Sequence, residues 1–167
     1  MLHYTYEAEL ISEVVGGKLI QKSATAYLIK QLLIDSRKLL NPGETIFFAL
    51  VTNRNNGHKY IKDLYGQGVR NFIISDEHFK IGDFFGSNFI LVSDSLIALQ
   101  SLATYHRTNF KTPVVAITGS NGKTILKEWL FQLLKDKYNI VRSPKSFNSQ
   151  IGVPLSVWQL NSEHQLA

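Results

Sequence analysis

Residues 114–134 read VVAITGSNGKTILKEWLFQLL. The β-branched, apolar run Val114 to Ile117 predicts a strand buried on both faces. It enters a turn with glycines at 119 and 122, followed by Lys123-Thr124. Beyond the turn the apolar residues Leu126, Trp129, Leu130, Leu133 and Leu134 recur at the spacing of one helix face, with Lys127, Glu128, Gln132 and Lys135 largely on the other. Asn139 to Arg142, "NIVR", offers a second strand. Strand, glycine turn, helix and strand together predict a βαβ unit with a right-handed crossover.

A strand-to-helix turn of this kind favours an anion. The first N–H groups of the helix have no internal partner, and the helix dipole adds partial positive charge. Gly119 and Gly122 allow the backbone to turn tightly and approach phosphate oxygens, Lys123 can neutralise the outer phosphates, and the Thr124 hydroxyl suits a magnesium ion held with them. The common loop G-x-x-x-x-G-K-[ST] is not met, because its first glycine would fall on Ile117. A bare G-x-x-G-K-T can also be an ordinary helix start, so the flanking strand and amphipathic helix carry the phosphate reading.

The chain has 167 residues, 44% hydrophobic and 19% charged, the balance of a globular protein of one domain or two small ones. Without cysteine, disulfides, thiolate metal sites and cysteine nucleophiles are excluded, which suits a reducing cytoplasm. The N-terminal stretch lacks the pattern of a signal peptide, and no run approaches the ~18 apolar residues of a membrane span. No membrane partner is expected. The net charge of +5 is unevenly placed: residues 1–106 hold ten Lys/Arg against ten Asp/Glu, and residues 107–167 hold eight against three. No basic run exceeds Arg37-Lys38, so a polyphosphate fits better than a nucleic acid backbone. The alternative is a segment whose balancing acidic residues lie elsewhere in sequence.

The first part of the chain predicts mixed α/β structure. Helices are expected near Glu7–Val15, His58–Tyr65 and Ser95–Arg107, and strands near Tyr27–Asp35, Thr45–Val51, Phe72–Ser75 and Phe89–Val92. "NFIISDE" and "NFILVSDS" echo each other as apolar runs ending in Ser-Asp. Such an Asp can be a magnesium-binding strand end, but Ser93, Asp94 or Ser95 stands where a helix N-cap belongs. The polar, proline-ended TNFKTP, residues 108–113, marks a domain boundary, giving domains 1–110 and 111–167.

Two runs, VVAITGSNGKTILKEWL and SPKSFNSQIGVPLSVWQL, resemble the ATP-binding domain of the Mur ligases, whose loop has the shorter form G-x-x-G-K-[ST]. Upstream, DSRKLLNPGETIFFAL and NNGHKYIKDLYGQGVRNFIIS are similar to that family's N-terminal domain. Within the family the likeness points to the member that adds D-alanyl-D-alanine to UDP-N-acetylmuramoyl-tripeptide, and in the loop and SFNSQIGVPLSVW to its form fused to an alanine racemase. The resemblance implies a small mixed α/β UDP-binding domain followed by the first βαβ part of a P-loop-type ATP-binding domain. It implies ATP and Mg2+ as cofactors and an amide-forming reaction of peptidoglycan precursor synthesis through an acyl phosphate.

Carried over by position, Gly119, Ser120, Asn121, Gly122, Lys123 and Thr124 hold the ATP phosphates and magnesium, with Asn148 near the nucleotide. Ser36 and Arg37, with Asn56, Gly57 and His58, face the uridine diphosphate. Many relatives have Asn-Glu where this chain has Ser149-Gln150. The family's further magnesium ligands, modified lysine, amine-binding domain and any racemase are expected beyond residue 167, so no complete catalytic set is expected here and the chain alone is expected to be inactive. The rival reading is a non-catalytic module that binds a nucleotide or the UDP precursor.

Other residues invite simpler readings. His3, His58, His78, His106 and His164 show no ligand spacing, and Trp129 and Trp158 read as packing residues. Gly152 and Pro154 suggest a helix entry, and Arg37 could pair with Asp35.

Overall fold

Four short parallel strands and one antiparallel edge strand organise the N-terminal unit. The computed structural model describes residues 4–53, 55–144 and 147–167, so His3, and Lys145 and Ser146 of the second resembling run, lie outside the described residues. The chain forms two compact units, one spanning Tyr4–Leu102 and the other including Ala103–Ala167.

In the first unit, α1 (Ala8–Val14) is followed by β1 (Lys18–Gln21), β2 (Gln31–Leu33), β3 (Thr45–Phe48) and a small hairpin of β4 (Val51–Thr52) and β5 (Asn55–Asn56). Then come α2 (Ile61–Gly66), β6 (Asn71–Ile74), β7 (Asn88–Leu91) and α3 (Ser95–Thr108), the last crossing from one unit into the other. The sheet order is β1-β7-β6-β3-β2, parallel except for β1, which runs antiparallel to β7. β3 and β6 are buried at every position and β7 at nearly every one, as parallel strands covered on both faces must be.

Phe47, Ile61, Leu64, Phe72, Phe84 and Phe89 form the centre of the core. Phe72 and Phe89 are register partners whose rings stack at 5.0 Å. Below them a polar ladder crosses the sheet: Asn71 Nδ2 donates to Thr45 O at 3.3 Å, Asn88 Nδ2 to Asn71 Oδ1 at 2.7 Å, and Ser23 N to Asn88 Oδ1 at 2.7 Å. These buried amides satisfy one another, which fixes the β6–β7 register.

The elements deviate from the sequence-based expectation where local pattern is weak. The strand expected over Tyr27–Asp35 shortens to Gln31–Leu33, with an isolated bridge between Tyr6 and Ile29. The run Thr45–Val51 breaks after Phe48, so that Val51 starts the hairpin. β1 was not anticipated: KLIQ is short and only partly covered, and its pairing with β7 carries a register shift between Leu19 and Gln21.

The second unit contains α4 (Lys123–Leu134) and α5 (Gly152–Val157). The expected buried strand at Val114–Ile117 is corrected: no strand forms in that segment, and Val114 and Val115 are 50% and 55% exposed. It bonds to the end of the chain, Ala167 N donating to Pro113 O at 3.0 Å and Val115 N to Ala167 O at 2.8 Å. Leu166 in turn bridges Ile140 in parallel. Residues 165–167 therefore lie between the two segments that the sequence pattern would have paired directly.

The helix face is corrected too. α4 turns Lys127, Glu128 and Phe131 inward: Lys127 Nζ donates to Ser143 O at 2.8 Å, Arg142 pairs with Glu128, and its guanidinium lies 3.7 Å from the Phe131 ring centroid. Trp129 and Leu133, expected to pack, are 65% and 75% exposed. Of the predicted apolar face, Leu130 and Leu134 are half-buried on the same side as these polar anchors, while Leu126, Trp129 and Leu133 are exposed. At the other end of the unit His106 bonds Leu160 O at 2.9 Å between the rings of Phe110 and Trp158, 4.9 and 4.4 Å away.

Candidate functional site

The glycine loop has the backbone that its residues require. Gly119 and Gly122 have φ of +146° and +76°, values that favour glycine. Gly122 is the N-cap of α4 and, having no side chain, makes no side-chain cap hydrogen bond to the first turn. The Lys123 ammonium folds back over the loop, donating to the carbonyls of Gly119 and, at 3.3 Å, Ser120. Ser120, Asn121 and Thr124 are exposed. Uncapped helix donors, a lysine over the mouth and an accessible threonine hydroxyl fit a phosphate with its cation. Asn148 is exposed ahead of α5, where Ser149 Oγ accepts from Gly152 N at 2.9 Å.

The other candidates lie in the first unit, at the C-terminal ends of its parallel strands, where open α/β sheets bind ligands. After β2, Asp35 caps the short turn Ser36–Lys38, and Arg37 donates to both its carboxylate oxygens at 2.9 Å. These hydrogen bonds hold the Asp35 carboxyl down to about 2. Arg37 is 86% exposed on its side chain. The Asp35 pairing was weighed from sequence, and here it presents the guanidinium outward.

After β3, the turn Gly57–Tyr60 is capped by Asn56, whose Oδ1 accepts from the His58 backbone N at 3.0 Å. The same Oδ1 lies 2.7 Å from His58 Nδ1, and Ser75 N donates to His58 Nε2 at 3.2 Å. A backbone N–H can only donate, so Nε2 is the acceptor and the proton sits on Nδ1, donated to Asn56. Burial pushes the imidazole below its ordinary value, opposed by nearby Asp76. Gly57 fits because the backbone of residues 49 and 50 passes close by.

Asn56 and His58 line a cleft of about 500 Å³ with Val51, Ser75, Asp76, Ser93, Asp94 and Ser95. Both Ser-Asp strand ends meet here. Asp94 Oδ1 accepts from Leu96 and Ile97 N at 2.6 and 3.1 Å, capping α3 as expected, and Ser95 Oγ donates to Ala49 O at 3.1 Å. Asp76 Oδ1 accepts from His78 N at 3.0 Å. Sequence reasoning weighed a magnesium-binding strand end against caps and favoured the caps, without bringing the two strand ends together. The signal that could have joined them was their repeated place at the end of an apolar run. With two carboxylates and no cation among its lining residues, the cleft suits a group rich in N–H and O–H donors and disfavours an anion.

A small mixed α/β unit and a short glycine-lysine-threonine loop, in this order, define the class: the chain belongs to the Mur ligase family. No protein-family model matches it. It is 36% identical over 143 residues to the UDP-N-acetylmuramoyl-tripeptide–D-alanyl-D-alanine ligase of Borreliella burgdorferi, which covers 80% of this chain and 30% of the relative. To the Bacillus subtilis protein of the same name it is 30% identical over 163 residues, covering 94% of this chain and 34% of that one. A crystal structure of MurF from Acinetobacter baumannii superposes with a TM-score of 0.84 at 27% identity, over 97% of this chain and 34% of the other. The Thermotoga maritima MurF ligase, solved in complex with ADP, matches 82% of this chain and 30% of its own with a TM-score of 0.69 at 28% identity. The chain thus spans about a third of the length of these relatives.

Proposed function

We propose that these residues serve an ATP-dependent cytoplasmic ligase that joins D-alanyl-D-alanine to the tripeptide carboxylate of UDP-N-acetylmuramoyl-tripeptide. The observation that carries the reading is the loop Gly119–Thr124, uncapped and accessible, in a chain whose relatives bear the name of this reaction. Residues 1–110 are the precursor-binding domain and residues 111–167 open the ATP-binding domain.

In this reading the loop N–H groups and Lys123 hold the ATP phosphates, Thr124 is a magnesium ligand, and Asn148 lies beside the nucleotide. ATP, when bound, supplies the phosphoryl group that activates the carboxylate. The chain's own contribution is to fix the phosphates and neutralise their charge in place. In the first unit the outward guanidinium of Arg37 meets the diphosphate with Ser36, and the acidic cleft beside Asn56 and His58 takes the uncharged nucleoside end. Separating the two matters, since a diphosphate against Asp76 and Asp94 would be repelled.

The two sites can be tested apart on the same chain by calorimetry with Mg-ATP and with UDP-N-acetylmuramoyl-tripeptide. Lys123→Ala is expected to abolish ATP binding and leave precursor binding intact. Arg37→Ala is expected to weaken the precursor about tenfold or more, the loss of one charge-assisted contact, and to spare ATP. Folded wild-type chain that binds neither would overturn the proposal.

A further inference from the structure

His58 lines the cleft, yet both its ring nitrogens are engaged within the protein. It joins two strand ends. Through Nδ1–H it holds Asn56, the last residue of β5, and through Nε2 it receives the Ser75 N–H that follows β6. A group so committed has no lone pair or N–H left for a ligand. We propose that His58 is a positioning residue, a neutral Nδ1–H pin that holds the Asn56 loop against the Ser75–Asp76 strand end and so keeps the cleft shaped for the nucleoside of the precursor. The role in binding rests on the function proposed above. The pin itself is a property of the fold.

The pin is specific to one protonation state. A proton on Nε2 would turn the acceptor into a donor facing the Ser75 N–H, and two donors cannot share that place. The charged groups that share the cleft with the ring are Asp76, just beyond β6, and Asp94 ahead of α3; the neighbouring Lys59 lies over the Tyr60 ring instead, and Phe79 packs against His58 at 5.7 Å. Asp76 favours the charged ring, and burial opposes it more strongly. The folded-state value is therefore lowered, so the pin is complete above the ordinary histidine value and is lost as pH falls through the lowered one.

The test combines binding with nuclear magnetic resonance. Titrations of the wild-type chain with UDP-N-acetylmuramoyl-tripeptide run from about pH 8 to about pH 5.5, a range in which ordinary carboxylates stay ionised and its doubly esterified diphosphate does not titrate. Affinity is expected to be constant down to about pH 6.5 and to begin falling toward the acid end of the range, by less than about tenfold, because the lowered value leaves part of the ring neutral even at about pH 5.5. His58→Gln, whose Oε1 can take the Ser75 N–H, is expected to bind within a few-fold of wild type with a flat pH profile; His58→Ala is expected to bind weakly at every pH. In the free protein the imidazole nitrogen shifts should report the Nδ1–H tautomer, and the Ser75 amide should move with the His58 titration. An Nε2–H tautomer, or a Ser75 amide indifferent to that titration, would overturn the pin. A folded His58→Gln as weak as His58→Ala would overturn the positioning role in favour of direct contact. Absence of saturable wild-type binding at any pH would sink the precursor reading and the role in binding, while the resonance arm still decides the pin.

Discussion

A Cβ on residue 57 would stand 2.8 Å from the Ala49 carbonyl carbon and the Leu50 nitrogen, both backbone atoms that cannot swing aside. Gly57 also donates its N–H to Leu50 O at 2.8 Å, so the two strands of chain are locked at that separation. Its neighbours then fall into place: Asn56 caps the turn and His58 reaches Ser75. Gly57→Ala is expected to cost about 1–3 kcal/mol, the range of overpacking in a tight site, measured by urea denaturation. A cost near zero would mean that the backbone there yields. From sequence, Gly57 was legible as special but its reason was not, because the atoms it must clear come from β3's exit and not from its own turn.

Register is settled between elements. The apolar runs of β6 and β7 could slide past one another with little loss of hydrophobic burial, since both are covered on both faces. The amides of Asn71 and Asn88 remove that freedom, because only one register lets Asn88 bond Asn71 while accepting from Ser23. Asn88→Leu leaves the Asn71 Oδ1 and the Ser23 N–H buried without these partners. It is expected to destabilise the chain by about 2–4 kcal/mol, two unsatisfied groups at 1–3 kcal/mol each with partial relaxation. Adding Asn71→Leu should cost less than the sum of the single changes, checked by a double-mutant cycle. Additive costs would show that the ladder does not act as a unit. α4 teaches the converse lesson. Its apolar period predicted the helix well, but only Leu130 and Leu134 of that face are half-buried, on the side where Lys127 and Glu128 bond residues 142–143.

Across the whole molecule, the two units differ in how they are covered. Nearly all the buried apolar side chains belong to the sheet unit, whereas α4 has no buried residue and presents Ile125, Trp129 and Leu133 outward. An exposed apolar stripe of this kind promotes association. In sedimentation velocity the wild-type chain is expected to show concentration-dependent self-association, suppressed in Trp129→Glu/Leu133→Glu. Iodide should quench Trp129 readily in the dilute monomer. A wild-type chain monomeric at every concentration, with Trp129 shielded from iodide, would refute the exposed stripe.

The sequence by itself determined the class of fold, the order of most elements, the glycine turn ahead of α4 and the family. Each of these rests on local signals: apolar period, glycine at positive φ, lysine and threonine at fixed offsets. Tertiary structure alone decided that residues 165–167 lie between 113–115 and 139–141, that α4 faces outward with its tryptophan, and that His58, Asn56 and the two Ser-Asp strand ends share one cleft. Those are contacts between residues far apart in the chain, and single hydrogen bonds and ion pairs that leave no periodic trace in sequence chose among arrangements of similar hydrophobic burial.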